Sequence, residues 1–336
     1  MNSATPGDDS SETLPTHATV LVYGFDYITQ HLDILESLIP SLNKADDVEI
    51  VHDIRVAIRR TRSAIAILQP YLPNQPFRKA QKALNQLADA LAGTRDNDVQ
   101  LAFLDSLFEE DLPPFVLPGM RRARQLLLNQ AHLTNSAFIN QKIIEAQDSV
   151  SLMRTWAQQN LLTAQVMKNE TNVELFSLSS TALRQRLYEF LNFETAVFHP
   201  NNEKAAHQMR ISAKHLRYAM ELFEQAYAGE LKEGLKNIKD VQQLLGDSHD
   251  CDVWISFLNN VEKSERERIR NFFGDESGYS RIQSGILFLR HNRITERSRL
   301  FLDFSGKWAN WKTQMFWTNL EHRFFHIEPV QSTSEN

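Results

Sequence analysis

Apolar residues recur at helical spacing from about His17 almost to the C-terminal end, and only short polar or Pro/Gly-containing segments interrupt the pattern. The first interruptions fall at Pro40 to Asp47, Pro70 to Pro76, Gly93 to Asp98 and Leu112 to Gly119. They predict four helices between them, followed by longer helical stretches from Arg121 to about Gln165. A polar segment, Lys168 to Ser180, separates this half from a second. The second half opens on Ser179-Ser180-Thr181 as candidate caps and breaks at His199 to Glu203, Ala228 to Glu230 and Gly246 to Asp250. The Val/Ile/Thr alternation that strands require hardly appears, so the pattern predicts an all-α fold.

Composition narrows what such a fold can do. Hydrophobic residues make up 42% of the 336, enough for a sizeable core, and the length suits one large domain or two similar halves. The net charge of -6 argues against a surface that clings everywhere to nucleic acid, so any anion site must be a local concentration of bases. Cys251 is the only cysteine, which removes disulfide frameworks and thiolate zinc sites within one chain and fits a reducing compartment. No Lys or Arg precedes Lys44 and no run approaches 18 apolar residues, so neither a secretory signal nor a membrane span is expected. A cytoplasmic location follows as the expectation. Residues 1–16, rich in Ser, Thr, Gly, Pro and Asp, are expected to form a disordered acidic tail, and residues 328–336 a C-terminal tail.

The interruptions fall in the same order in both halves, and the chain does repeat itself. The segment from Val51 to Arg62 aligns with that from Ala206 to Arg217, so that His52, Arg55, Arg59 and Arg62 coincide with His207, Arg210, Lys214 and Arg217. Gly93-Thr94-Arg95-Asp96-Asn97-Asp98-Val99 aligns with Gly246 to Val253, with one inserted residue.

At about 100° per residue, setting His52 to zero places Arg55, Arg59 and Arg62 at roughly 300°, 340° and 280°, on one narrow face. Ile54, Ile58, Ile65 and Leu68 fall near roughly 160–240°, so an apolar stripe that can pack is flanked by a cationic one. Residues 51–62 carry four Arg against one Asp, a net +3, and residues 206–217 carry three bases and no acid, also +3. Like charges at i, i+3 and i, i+4 repel, and an anionic partner offsets that cost. Guanidinium forks suit phosphate oxygens, and a linear polymer with a charge on every phosphate matches a row of them. Salt bridging on a solvated face explains one such stripe, but a duplicated imbalance in an acidic protein is harder to explain that way.

These residues carry a resemblance. The chain resembles the CHAD family, the conserved histidine α-helical domain, through His52-x-x-Arg55-Val56-x-x-Arg59-Arg60-x-Arg62 and Gly93-x-Arg95-Asp96-x-Asp98-Val99. The second copy adds His207-x-x-Arg210-Ile211-x-x-Lys214-x-x-Arg217-Tyr218-x-x-Glu221 and Leu245-Gly246-Asp247. The resemblance covers roughly residues 17–325. It implies two antiparallel four-helix bundles related by an internal pseudo-two-fold duplication, with halves at about 17–167 and 178–327 of a domain spanning 17–327. It further implies a basic cavity between them that binds inorganic polyphosphate, and a stand-alone, non-catalytic binding or targeting module associated with polyphosphate deposits. Ala92 stands where the family usually has Leu, His215 replaces a common second Arg, and His249 sits where Asn often precedes Asp.

Other constellations are weaker. His52-Asp53 and His249-Asp250 spell the pair used by metal-dependent phosphohydrolases, the alternative reading, but lie about 100° apart on a helix. Asp96, Asp98, Asp250 and Asp252 are read as helix caps, or as partners that orient the arginines, before they are read as a Mg²⁺ site. No metal site, cofactor or catalytic set is expected. Arg60, Tyr218, Lys82, Arg95, Lys236 and Lys239 are second-tier candidates for extending the anion groove. Nucleic acid is a poor fit, because only Tyr218 could stack a base among the cations. Trp308, Trp311 and Trp317 are read as core.

Overall fold

The computed structural model describes residues 18–44, 48–72, 74–131, 136–166, 173–200 and 202–325, with the side chains of 18, 42–44, 48, 74–76, 92–98, 131, 136–140 and 160–166 outside that description. The tails expected at 1–16 and 328–336 therefore lie outside the described residues. Every regular element described is helical: α1 (Ala18–Leu38), α2 (Val48–Leu68), α3 (Asn74–Ala90), α4 (Ala92–Phe108), α5 (Leu117–Ala131), α6 (Ser136–Val166), α7 (Val173–Leu191), α8 (Glu203–Phe223), α9 (Lys232–Phe273), α10 (Ser280–Thr313) and α11 (Phe316–Arg323), with short 3₁₀ turns between some of them.

Helices α1, α2, α3 and α6 pack in a closed ring, each against two others. Phe25, Ile28, Leu32, Ile54, Ile58, Leu84, Leu87 and Met153 fill it and are fully buried. Helices α7, α8, α9 and α10 pack in sequence, and aromatic rings close the circuit from α7 to α10. The Phe190 ring lies 5.6 Å from Trp308 and 5.2 Å from Trp317, edge-to-face, the arrangement favoured by ring quadrupoles. Trp308, Trp311 and Trp317 are all buried. Helix α2 lies against α8, and Tyr23 on α1 donates to the Leu222 carbonyl at 2.6 Å, so one continuous apolar core runs through both sets of helices.

Helices α4 and α5 leave the first ring. They pack on the far ends of α9 and α10, where Leu104, Leu107, Met120 and Leu127 meet Trp254, Leu258 and Leu289 in a separate core. The approach of α5 to α10 is made backbone to backbone: a Cβ on Gly119 would lie 2.7 Å from the Gly285 Cα, and one on Gly285 2.1 Å from the Val116 carbonyl oxygen.

Three local expectations are corrected. The break expected at Gly246 to Asp250 is absent: α9 runs unbroken through it. Glycine costs a helix interior about 1 kcal/mol relative to alanine, and the buried Leu245, Cys251 and Trp254 on either side outweigh that. The break expected from Gly93 likewise falls inside α4. Asp250 and Asp252 consequently sit in mid-helix and cap nothing. Ser179 to Thr181 are interior to α7, because Leu175, Ser179, Leu183 and Leu187 form its buried face; Ser179 Oγ donates to the Phe176 carbonyl at 3.1 Å. By contrast, the expected loop at His199 to Glu203 ends on a true cap, Asn202, whose side chain accepts from the Ala205 amide at 3.1 Å.

Candidate functional site: a cation cluster where two helices pack

The two stripes lie on α2 and α8, which pack together. Apolar positions at helical spacing decide how each helix docks. Ile54, Ile58, Ile65 and Leu68 of α2 and Met209, Ala213, Leu216 and Met220 of α8 are buried, and this leaves the cationic residues half-buried at the edge of the contact. Five of the eight first-tier candidates converge. Lys214 feels the charges of Arg210 and Arg217 on its own helix and of Arg59 and Arg55 from α2. Burial first, then those four guanidiniums, pull the Lys214 amine down to about 8. Lys214 has no carboxylate partner among the described residues. The buried Nε of Arg210 likewise has no hydrogen-bond acceptor among them.

The other three candidates take separate positions. Arg62 lies towards His215, whose imidazole is held below its ordinary value by burial and then by Arg186 on α7, with Arg62 adding to the effect. His207 faces α9, with its ring 5.4 Å from that of His249. His52 is half-buried while the adjoining Asp53 is exposed, so the two point to different surroundings.

A carboxylate borders the cluster. Glu221 Oε2 accepts from Arg60 Nε at 2.8 Å, and Glu221 Oε1 lies 3.2 Å from Arg217 Nε. Burial opposes the charge on Arg60, but the hydrogen bond and charge of Glu221 outweigh it and leave the guanidinium more basic than usual. Gln242 on α9 accepts from Arg217 Nη1 at 2.9 Å and donates to the Ala213 carbonyl at 2.7 Å, which fixes the Arg217 fork. Beyond Glu221 opens a cavity of about 490 Å³ lined by Tyr27, His31, Arg60, Glu224, Lys236 and Lys239. Lys232 also faces it. Lys236 and Lys239, second-tier candidates, are thus placed beside Arg60, whereas Lys82 is exposed on α3 and the Arg95 side chain is outside the described residues. Tyr218 is buried, with the Arg217 guanidinium 5.1 Å from its ring.

Gln242, Lys232, Tyr27 and His31 escaped the sequence reading, and nothing local marks them. Glu221 stands in the second-copy motif, four residues after Arg217 on one helix face, but its pairing with Arg60 has no spacing to read. Asp252 does not reach the stripe arginines: it pairs with Arg297 of α10 at 2.6 Å. Among the described residues no group of three or more His, Cys, Asp or Glu is placed to hold a metal ion. None of the described helices is long and apolar enough to cross a membrane.

Fold and site together define an all-helical protein with a cluster of cations where two of its helices pack. The family model for the CHAD domain matches residues 26–259, and the chain belongs to that family. Among solved structures it is similar to the CHAD domain from the plant Ricinus communis, with a TM-score of 0.59 and 18% identity over 93% of each chain, a likeness of fold. No curated protein matches the sequence significantly.

Proposed function

We propose that this protein binds inorganic polyphosphate in the cleft between α2 and α8 and carries out no chemistry on it. The observation that carries the reading is the gathering of Arg55, Arg59, Arg210 and Arg217 around Lys214. Five cations from two helices gather there in a protein of net charge -6, and like charges held close together favour an anionic ligand. A phosphate chain supplies one charge per unit along a line, and each guanidinium offers two parallel donors to its oxygens. Lys232, Lys236 and Lys239 extend the cationic path past Glu221. Membership of the CHAD family supports the same ligand.

On this reading the two helix sets are copies of one unit, supported by the matching motifs on α2 and α8, each the second helix of its set. The chain then acts as a cytoplasmic module that attaches to polyphosphate deposits. The test is a titration of long polyphosphate, pyrophosphate, ATP and single-stranded DNA at one fixed salt concentration. Long polyphosphate should bind best by at least an order of magnitude, because its chain reaches both walls at once. Equal affinity for all four would refute the assignment, and phosphate release in the presence of Mg²⁺ or Mn²⁺ would replace it with a phosphohydrolase.

A further inference from the structure

A second cavity, of about 410 Å³, opens between the segment ahead of α8, the first turn of α8, and helices α9 and α10. None of the residues that line it belongs to the cation cluster. Ala196 and Ala206 offer it only methyl groups, and the buried Leu245, Leu300 and Phe304 supply further apolar wall. That size, with apolar walls and a few polar groups, is typical of small-molecule sites. The polar groups are unequal in charge. Arg297 on α10 lies between two carboxylates: its Nε is 2.6 Å from Asp252 Oδ1 of α9, and its Nη2 is 3.4 Å from Glu203 Oε1 of α8. The same Nη2 donates to the Pro200 carbonyl at 3.0 Å. Neither carboxylate has a second cationic partner among the described residues, so two acids share one guanidinium. Burial pushes the Asp252 carboxyl up to about 6 although Arg297 opposes it, and Glu203 adds to the rise. Genuinely empty cavities are apolar all round, whereas this one keeps a half-buried carboxylate on its wall.

We propose that this cavity binds a small amphipathic amine, with its ammonium group directed to Asp252 and Glu203 and its apolar body against Leu245, Leu300 and Phe304. The ammonium supplies the cation that the second carboxylate lacks, in a setting where burial strengthens the attraction. The body covers apolar wall that water hydrates poorly. A neutral molecule of the same shape gains only the second of these. An anion of that shape adds a third negative charge, and Arg297 offers it little, because its Nε and Nη2 are already engaged. The site stands apart from the polyphosphate reading, so the failure of either leaves the other intact.

The experiment is calorimetric titration of the full chain with three probes of one shape: phenylbutylamine, phenylbutanol and phenylbutanoate. His199 also lines the cavity, so the titrations are run at pH 8, above the ordinary imidazole range. The amine should bind roughly tenfold or more tightly than the alcohol, and the carboxylate most weakly. Asp252→Asn should remove most of the advantage of the amine while the alcohol binds as before. Ser298 lines the cavity from the exposed side of α10, and Ser298→Trp should weaken all three probes by filling the space. Equal affinities for the three probes, or a preference for the carboxylate, overturn the amine assignment. No binding of any probe overturns the site itself. Binding that is unchanged in Ser298→Trp also overturns it, since the probes are then held elsewhere. If Asp252→Asn fails to fold, Glu203→Gln decides the charge question, because that side chain is largely exposed. An amine preference that Glu203→Gln leaves untouched then counts against the assignment, and a reduced one supports it.

Discussion

Glu221 Oε2 accepts a hydrogen bond from Arg60 Nε at 2.8 Å across 161 residues of sequence, tying the two cationic helices together with a carboxylate. Because its other oxygen lies beside Arg217, Glu221 occupies two guanidiniums that would otherwise face a ligand. Glu221→Gln should therefore tighten polyphosphate binding several-fold. It should also lower stability by about 1–3 kcal/mol, less than for a fully buried pair because Arg60 is partly exposed. Urea unfolding alongside binding titration measures both, and unchanged affinity would show that Glu221 does not compete with the ligand.

Charge reversal on either wall tests whether the cleft is one site. Arg55→Glu with Arg59→Glu, or Arg210→Glu with Lys214→Glu, adds repulsion while removing donors. Each double variant alone should nearly abolish binding of long chains. Half the stoichiometry at unchanged affinity would instead mean two independent sites.

Binding should be strongly salt-dependent. If about five phosphates are contacted, the slope expected for a single-stranded polyanion gives a loss of roughly three decades in affinity per tenfold rise in salt. A flat salt response argues for a ligand recognised by something other than its charge.

Helix packing at Gly119 and Gly285 supplies a stability test remote from the cleft. Gly119→Ala or Gly285→Ala would force a methyl group into the opposite backbone and should cost about 1–3 kcal/mol. Gly306→Ala, in the same α10 but with nothing within 4 Å of the new Cβ, should instead stabilise by about 0.5–1 kcal/mol. Chemical unfolding midpoints of the three variants decide it.

Asp252 is pushed up to about 6 by burial, in spite of Arg297 at 2.6 Å. A carboxyl that holds its proton more tightly when folded contributes stability that is fully present below its unfolded value and lost as pH rises through about 6. Asp252→Asn should show a flatter stability profile between pH 4 and 7 than the wild type. Parallel profiles would mean that Arg297 keeps the group ionised throughout.

The sequence carried most of the cleft because its determinants are local: spacing on one helix, repeated on another, with no strand pattern to compete. The all-helical class rested on the same periodicity. What escaped was long-range. Gly246 and Gly93 read as stops, but the packing of neighbouring buried residues overrode a small local preference. Asp252 finds Arg297 on another helix, and Gln242 finds Arg217 across α8 and α9; neither pairing has a spacing to read. The Gly119–Gly285 approach is likewise invisible in either segment alone.

The docking of α4 and α5 on the far ends of α9 and α10 also sets an order of events during synthesis. Leu104, Leu107 and Met120 leave the ribosome long before Trp254, Leu258 and Leu289 exist to cover them. The nascent chain must carry that apolar surface in the open for more than a hundred residues of elongation, an interval in which chaperones can bind and partly made chains can aggregate. Truncations that end before α9 should accordingly be recovered as aggregates, even though the α1–α2–α3–α6 ring is complete in them.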